Sequence, residues 1–222
     1  MAPGLVTAPP FLPALRLAGR PGAEVAALAA LVDGDPADLA SMLEVLAVTD
    51  PVARDAAGAL AVLPPKALYH GPSAAAVMMP FLCPRSSRFT AGRYGVLYGA
   101  ESTDTAAAEV SYHHARRLRA AAAPSGTNVV LSLWSFHVGS DVVDLRAHDA
   151  SIYHPDDYTA SQALGVELRD GGAASVLYAS VRRVGGSCLG VFIPRVVDHM
   201  EKGDGWRLVW NGTTINEVLR VA

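Results

Sequence analysis

Apolar residues recur at two different periods along this chain, and the change from one to the other divides it. Ala, Leu and Val fall at helical spacing from Glu24 to Leu31 and again from Asp38 to Val48, with Asp35-Pro36 marking a helix start between them. Residues 1 to 22 are rich in proline and read as extended. Pro64-Pro65 closes this leading segment, so residues 1–63 are expected to form a tail and a helical extension, and residues 64–222 the main domain.

Beyond that point the pattern turns to strands separated by turns and a few helices. Lys66 to His70 and Val96 to Tyr98 read as strands. Thr103 to Arg119 reads as a helix, with Ser102 or Thr103 as N-cap, Asp104 in the first turn and arginines at its basic end. Val129 to Val138 alternates, with Val130, Ser132, Trp134 and Phe136 on one side and Leu131, Leu133, Ser135 and His137 on the other. Asp141 to Leu145 reads as a short strand, and Tyr158 to Arg169 as a helix closed by Gly171-Gly172. Strands follow at Ser175 to Val181, Cys188 to Ile193 and Trp206 to Trp210. This order predicts an α+β domain with mixed, mostly antiparallel sheets and flanking helices.

Composition narrows the class. A chain of 222 residues, 51% of them hydrophobic, can bury one substantial core. A formal charge of -3 gives no overall basic field for nucleic acid, although Arg116, Arg117 and Arg119 make one local basic patch. Direct nucleic-acid binding is therefore not expected. Two cysteines, Cys83 and Cys188, supply neither a disulfide framework nor a thiolate zinc site, which fits a reducing, cytoplasmic setting. No apolar run approaches the roughly 20 residues that span a bilayer. The amino-terminal stretch lacks a basic n-region and is interrupted by prolines, so neither a signal peptide nor a membrane anchor is expected.

The densest chemistry lies between Arg85 and Glu109. A turn with Arg88, a strand ending at Tyr98 and a helix carrying Glu109 would bring basic, aromatic and acidic groups to one cleft. A guanidinium suits a pyrophosphate, a tyrosine offers a ring for stacking, and a carboxylate can stabilise positive charge at an anomeric carbon. That set fits cleavage of a dinucleotide at its nicotinamide ribose. Each residue also has an ordinary reading, as a solvated helix face or a surface charge.

Other chemistries find less support. His113 and His114 are adjacent on a helix, about 100° apart, and no His-Glu-x-x-His spacing exists, so no metal is expected. His113 lies four residues beyond Glu109, where it would ion-pair with or orient that carboxylate, ordinary helix-surface pairing being the alternative. Gly185 to Gly190 fails the dinucleotide fingerprint and reads as a hairpin turn. No nucleophile elbow surrounds Ser180, and Trp134, Trp206 and Trp210 read as core or rim aromatics.

Several ordered blocks together resemble the RES domain family. They are Ser87-Arg88-Phe89, Val96-Leu97-Tyr98-Gly99-Ala100, Thr105 to Val110 with Glu109, Ala174 to Arg182 with Ser180, and Cys188 to Arg195. The family is similar in fold to the ADP-ribosyltransferase toxins, and its characterised members are toxins of bacterial toxin-antitoxin pairs that consume NAD or transfer its ADP-ribose. The resemblance implies NAD as a substrate and no retained cofactor. It further implies Glu109, Arg88 and Tyr98 as catalytic residues and Ser180 as a binding residue. Where many relatives carry arginine after an aromatic on the first core strand, this chain reads Leu68-Tyr69-His70-Gly71, which makes Tyr69 and His70 candidates for substrate binding. A cognate antitoxin with a helix-turn-helix region is the implied partner, and self-association is left open. The alternatives are an ADP-ribosyltransferase that modifies a protein and a non-catalytic interaction domain.

Overall fold

The computed structural model describes residues 6–8, 13–18, 36–48, 51–62 and 67–221. Its frame is a nine-stranded sheet. In chain order the strands are β1 (Val6–Ala8), β2 (Ala14–Ala18), the two-residue pair β3 (Ser86–Ser87) and β4 (Thr90–Ala91), β5 (Leu97–Ala100), β6 (Asn128–Val138), β7 (Val142–Asp144), β8 (Ser175–Ala179), β9 (Ser187–Val191), β10 (Val197–Trp210) and β11 (Ile215–Val221). The large sheet runs β1-β7-β8-β9-β5-β2-β6-β10-β11, while β3 and β4 pair separately. All neighbours in it are antiparallel except β7 and β8. The helices are α1 (Pro36–Leu46), α2 (Pro51–Val62), α3 (Ala74–Leu82), α4 (Thr103–Ala120) and α5 (Thr159–Asp170). The architecture is the expected mixed α+β one.

Strand alternation gives the sheet two buried faces. Leu97, Leu177, Leu189, Phe136 and Val138 join one core with Leu43, Ala56, Met78 and Leu82 of α1, α2 and α3. Tyr98, Val176, Tyr178, Cys188 and Leu131 point the other way, into a second core with Phe89, Ala106 and Leu168. The side division expected for Val129 to Val138 holds, because Trp134 and Phe136 belong to the first core and Leu131 and Leu133 to the second.

The leading segment is woven into this frame. β2 lies between β5 and β6, β1 pairs with β7, and α1 and α2 complete the first core, so packing crosses the boundary expected at residue 63. The helix expected from Glu24 to Leu31 and the Pro64-Pro65 break lie outside the described residues.

Two expectations for strands need correction. Residues 67–70 are not a strand: Tyr69 is buried in the first core, and its hydroxyl donates to Pro72 O at 3.1 Å as the chain turns toward α3. An aromatic that anchors a turn carries the same apolar signature as a strand residue. β8 ends at Ala179, and Ser180 begins the turn to β9, where Ser180 N–H donates to Gly186 O at 2.8 Å. The Gly185-Gly186 segment is therefore the hairpin turn that the sequence suggested. Among the described helices none is long and apolar enough to cross a membrane.

Candidate active site

Glu109 reaches the site because α4 is pinned at its first turn. Ser102 caps the helix, its Oγ accepting from Thr105 N–H at 3.2 Å, as the sequence predicts. Glu101 ties that end to the β8–β9 hairpin: Oε1 accepts from Thr105 Oγ1 at 2.6 Å and Oε2 from Ser187 N–H at 2.6 Å. Arg183 adds a bond to Asp104 at 3.1 Å. The helix and hairpin are thus locked together, which brings two residues 71 positions apart into contact. Ser180 Oγ donates to Glu109 Oε1 at 2.6 Å.

The serine is itself held. Its Oγ accepts from the N–H groups of Arg182 and Arg183, each at 3.1 Å, so its proton is directed at the carboxylate. Cys188 Sγ lies 3.8 Å from the same Glu109 oxygen. Burial, and then the charge of Glu109, push the Cys188 thiol well above its ordinary range, which keeps it protonated and unreactive. Burial likewise raises Tyr178 on the same face, with Cys188, Glu109 and Tyr98 adding to the effect.

Tyr98 links the sheet to the arginine turn. Its hydroxyl accepts from Phe89 N–H at 3.1 Å and shares a hydrogen bond with Ser87 Oγ at 2.9 Å. Burial pushes its pKa to about 12, so it remains a neutral phenol. The turn is clamped from the other side by α5. Ser161 Oγ donates to Arg88 O at 2.7 Å and Gln162 Nε2 to Ser87 O at 2.9 Å. Gly165 permits this approach, since a Cβ there would stand 2.2 Å from Phe89 O.

Arg88 is only 8% exposed. Its Nη1 donates to Ile152 O at 2.8 Å and His154 O at 3.3 Å, and its guanidinium lies 4.8 Å from the Tyr158 ring centroid. It therefore carries positive charge toward Tyr98 and Tyr178 while ordering the loop from Asp149 to Tyr158. A depression of about 580 Å³ formed by that loop and the start of α5 contains none of Glu109, Ser180 or Tyr98.

The structure thus gathers Arg88, Tyr98, Glu109 and Ser180 around Tyr178 on one face of the sheet. Tyr69 and His70 lie elsewhere, Tyr69 in the core of the opposite face and His70 exposed beside it. His113 does not ion-pair with Glu109. Burial and the neighbouring charges of Arg182, Arg117, Arg116 and Arg88 push it down to about 4, so it is neutral at physiological pH.

Sequence reasoning missed three contributors. Tyr112 follows Glu109 by three positions, a spacing that places it on the same helix face. Arg182 lies two residues past Ser180 and stacks on Tyr112, its Cζ 3.3 Å from the ring centroid. Arg16 of β2 donates to Tyr98 O at 3.1 Å, and desolvation inside the sheet lowers it to about 10. The alternating run from Ala14 to Ala18 was the available signal for that strand.

Among curated proteins none matches. A solved structure similar to this chain is the M. tuberculosis MbcT–MbcA toxin-antitoxin complex, at 17% identity and a TM-score of 0.40, covering 53% of this chain and 71% of that one. The family model described as the RES domain matches residues 63–211, which include Arg88, Tyr98, Glu109 and Ser180. With more than half of its length matched, the chain belongs to the RES domain family.

Proposed function

We propose that this protein is an NAD-cleaving enzyme and the toxin of a bacterial toxin-antitoxin pair. The observation that carries this reading is the Glu109 carboxylate held at 2.6 Å by the Ser180 hydroxyl, on a sheet face that also bears Tyr98 and the charge of Arg88. A fixed carboxylate beside an aromatic and an arginine suits a reaction whose transition state carries positive charge on a ribose and negative charge on a pyrophosphate.

In this scheme Glu109 stabilises the oxocarbenium-like ribose as its bond to the nicotinamide nitrogen breaks. Nicotinamide departs with the bonding electron pair, and Tyr98 helps to position its ring. Water then adds to the anomeric carbon and loses a proton, giving ADP-ribose. Phosphate as acceptor would give ADP-ribose phosphate, and a protein side chain would give an ADP-ribosylated target. Small acceptors are preferred here because they need no macromolecular docking surface.

A toxin of this kind requires control, and family resemblance supplies the expectation of an antitoxin with a helix-turn-helix region that covers the cleft near Arg88 and Glu109. The test is incubation of purified protein with NAD, with and without phosphate and cell lysate, with products identified by mass. Free nicotinamide with ADP-ribose or its phosphate is expected. Unchanged NAD in every arm rejects the reading in favour of the non-catalytic interaction domain.

A further inference from the structure

Beside Glu109 lies a group of side chains that the bond-breaking scheme leaves unused. Tyr112, His113 and Arg116 follow Glu109 at helical offsets of three, four and seven, so they continue its face of α4 over about 5–10 Å of helix. The Arg182 guanidinium lies against the Tyr112 ring, and Arg116 Cζ stands 5.8 Å from the same ring centroid. Arg182 Nη2 donates to Pro155 O and, at 3.4 Å, to the Tyr158 hydroxyl. Its Nε–H is buried and has no partner among the described residues. Among the described residues one carboxylate touches this group: Tyr112 donates its hydroxyl proton to Asp156 Oδ1, on an exposed loop.

We propose that Arg182, Arg116 and the Tyr112 hydroxyl form the seat for the phosphate groups of the dinucleotide, with Asp156 the internal anion that those phosphates displace. The proposal rests on the NAD reading for its substrate, but the seat itself can be judged with phosphate ligands alone. Stacking on the phenol and the bonds of Nη2 fix the plane of the Arg182 guanidinium, and its Nη1 makes no hydrogen bond among the described residues, which leaves a charged donor for a phosphate oxygen. A hydroxyl that donates to a carboxylate can donate equally to a phosphate. Asp156 can yield without opening the core, because it stands on the surface of the loop rather than within either buried cluster.

The surrounding field has the same sign. The charges felt by His113 are four arginines, and those felt by Asp156 include Arg182 and Arg116. Arg88 is buried and held through Nη1 by the Ile152 and His154 carbonyls, so it supports this seat from within, while Arg182 offers its unpartnered Nη1.

Calorimetry with inorganic pyrophosphate, ADP-ribose and nicotinamide riboside tests the assignment. The wild-type chain should bind the first two. Arg182→Ala should weaken both by about tenfold or more, the scale of a lost charge-assisted pair, and leave the riboside unaffected. Asp156→Asn should tighten both, because it removes the internal competitor while disturbing no core contact. In NAD cleavage the Arg182→Ala loss should fall on KM. Absence of pyrophosphate binding by the wild type, an unchanged affinity in Arg182→Ala, or a weakened one in Asp156→Asn each overturns the proposal. If NAD is not cleaved but pyrophosphate binds through Arg182, the seat stands and the NAD reading falls; intact cleavage without such binding is the reverse case.

Discussion

Replacing Glu109 by glutamine should stop catalysis while leaving the protein folded. The amide keeps the length of the side chain, and its oxygen can still accept from Ser180 Oγ, now at 2.6 Å. The fold should therefore lose no more than about 1 kcal/mol, the net worth of one weakened hydrogen bond. The chemical step loses a full negative charge. At an effective dielectric of about 20, a unit charge 4 Å away contributes about 4 kcal/mol. A developing ribosyl cation carries most of such a charge, so a loss of about 3 kcal/mol, or roughly a hundredfold in rate, is the least expected. Nicotinamide release under single-turnover conditions measures the rate, and urea unfolding measures the fold. Ser180→Ala supplies the comparison: it removes the donor that orients the carboxylate but keeps the charge, and should slow the step by only about tenfold. A folded Glu109→Gln protein that keeps more than about a tenth of the wild-type rate refutes the reasoning, as does a Ser180→Ala defect larger than that of Glu109→Gln.

Two further outcomes concern the frame. Gly165→Ala should destabilise by about 1–3 kcal/mol, because its Cβ would meet Phe89 backbone atoms at 2.2 to 3.0 Å, an overlap that outweighs the helix-propensity gain of about 1 kcal/mol; a urea midpoint equal to or above wild type rejects this. His113 and His114 are both pushed down to about 4 from 6.5, by burial first and then by neighbouring arginines. As pH falls below about 6.5 the unfolded chain takes up these protons and the folded chain does not, so stability decreases from there to about pH 4 and then levels. Glutamine at both positions should flatten that part of the urea-midpoint curve, and equal slopes in wild type and variant would exclude the histidines as its source.

The sequence was most legible where local and tertiary demands agree. α4 is the clearest case: Ser102, Asp104 and the terminal arginines mark its ends by capping and dipole chemistry, and those contacts are local. β6 was equally readable, because it is buried on both faces and its apolar side chains alternate between two cores. β10 was not. Its middle, Glu201 to Asp204, is exposed and interrupted by register shifts against β6, so pairing persists where the apolar pattern lapses. β11 has the same cause, as an edge strand with four exposed residues. β2 was hidden differently: Ala14 to Ala18 is short and follows prolines, and only its place between β5 and β6 makes it a strand.

For the site, Glu109 stood out in its own stretch, but chain order could join Ser180 to it only through family resemblance, because a contact across 71 positions has no local signature. The same limit explains why Arg88 was read as a substrate ligand from its turn alone, with no sign that its Nη1 also holds the carbonyls of Ile152 and His154. A buried arginine bonded to backbone oxygens fixes a loop and lends charge at a distance; one stacked on a half-buried ring with its Nη1 unpartnered keeps a donor for a ligand. Arg182 is the latter, and its position was half readable. Tyr112 lies on the Glu109 face by helical spacing alone, and Arg182 follows Ser180 by two residues, so the serine–glutamate contact that closes the hairpin onto α4 also brings these two together. The pairing that positions the carboxylate therefore also assembles its neighbouring cation, and a change that loosens the Glu101–Ser187 tie should weaken both at once.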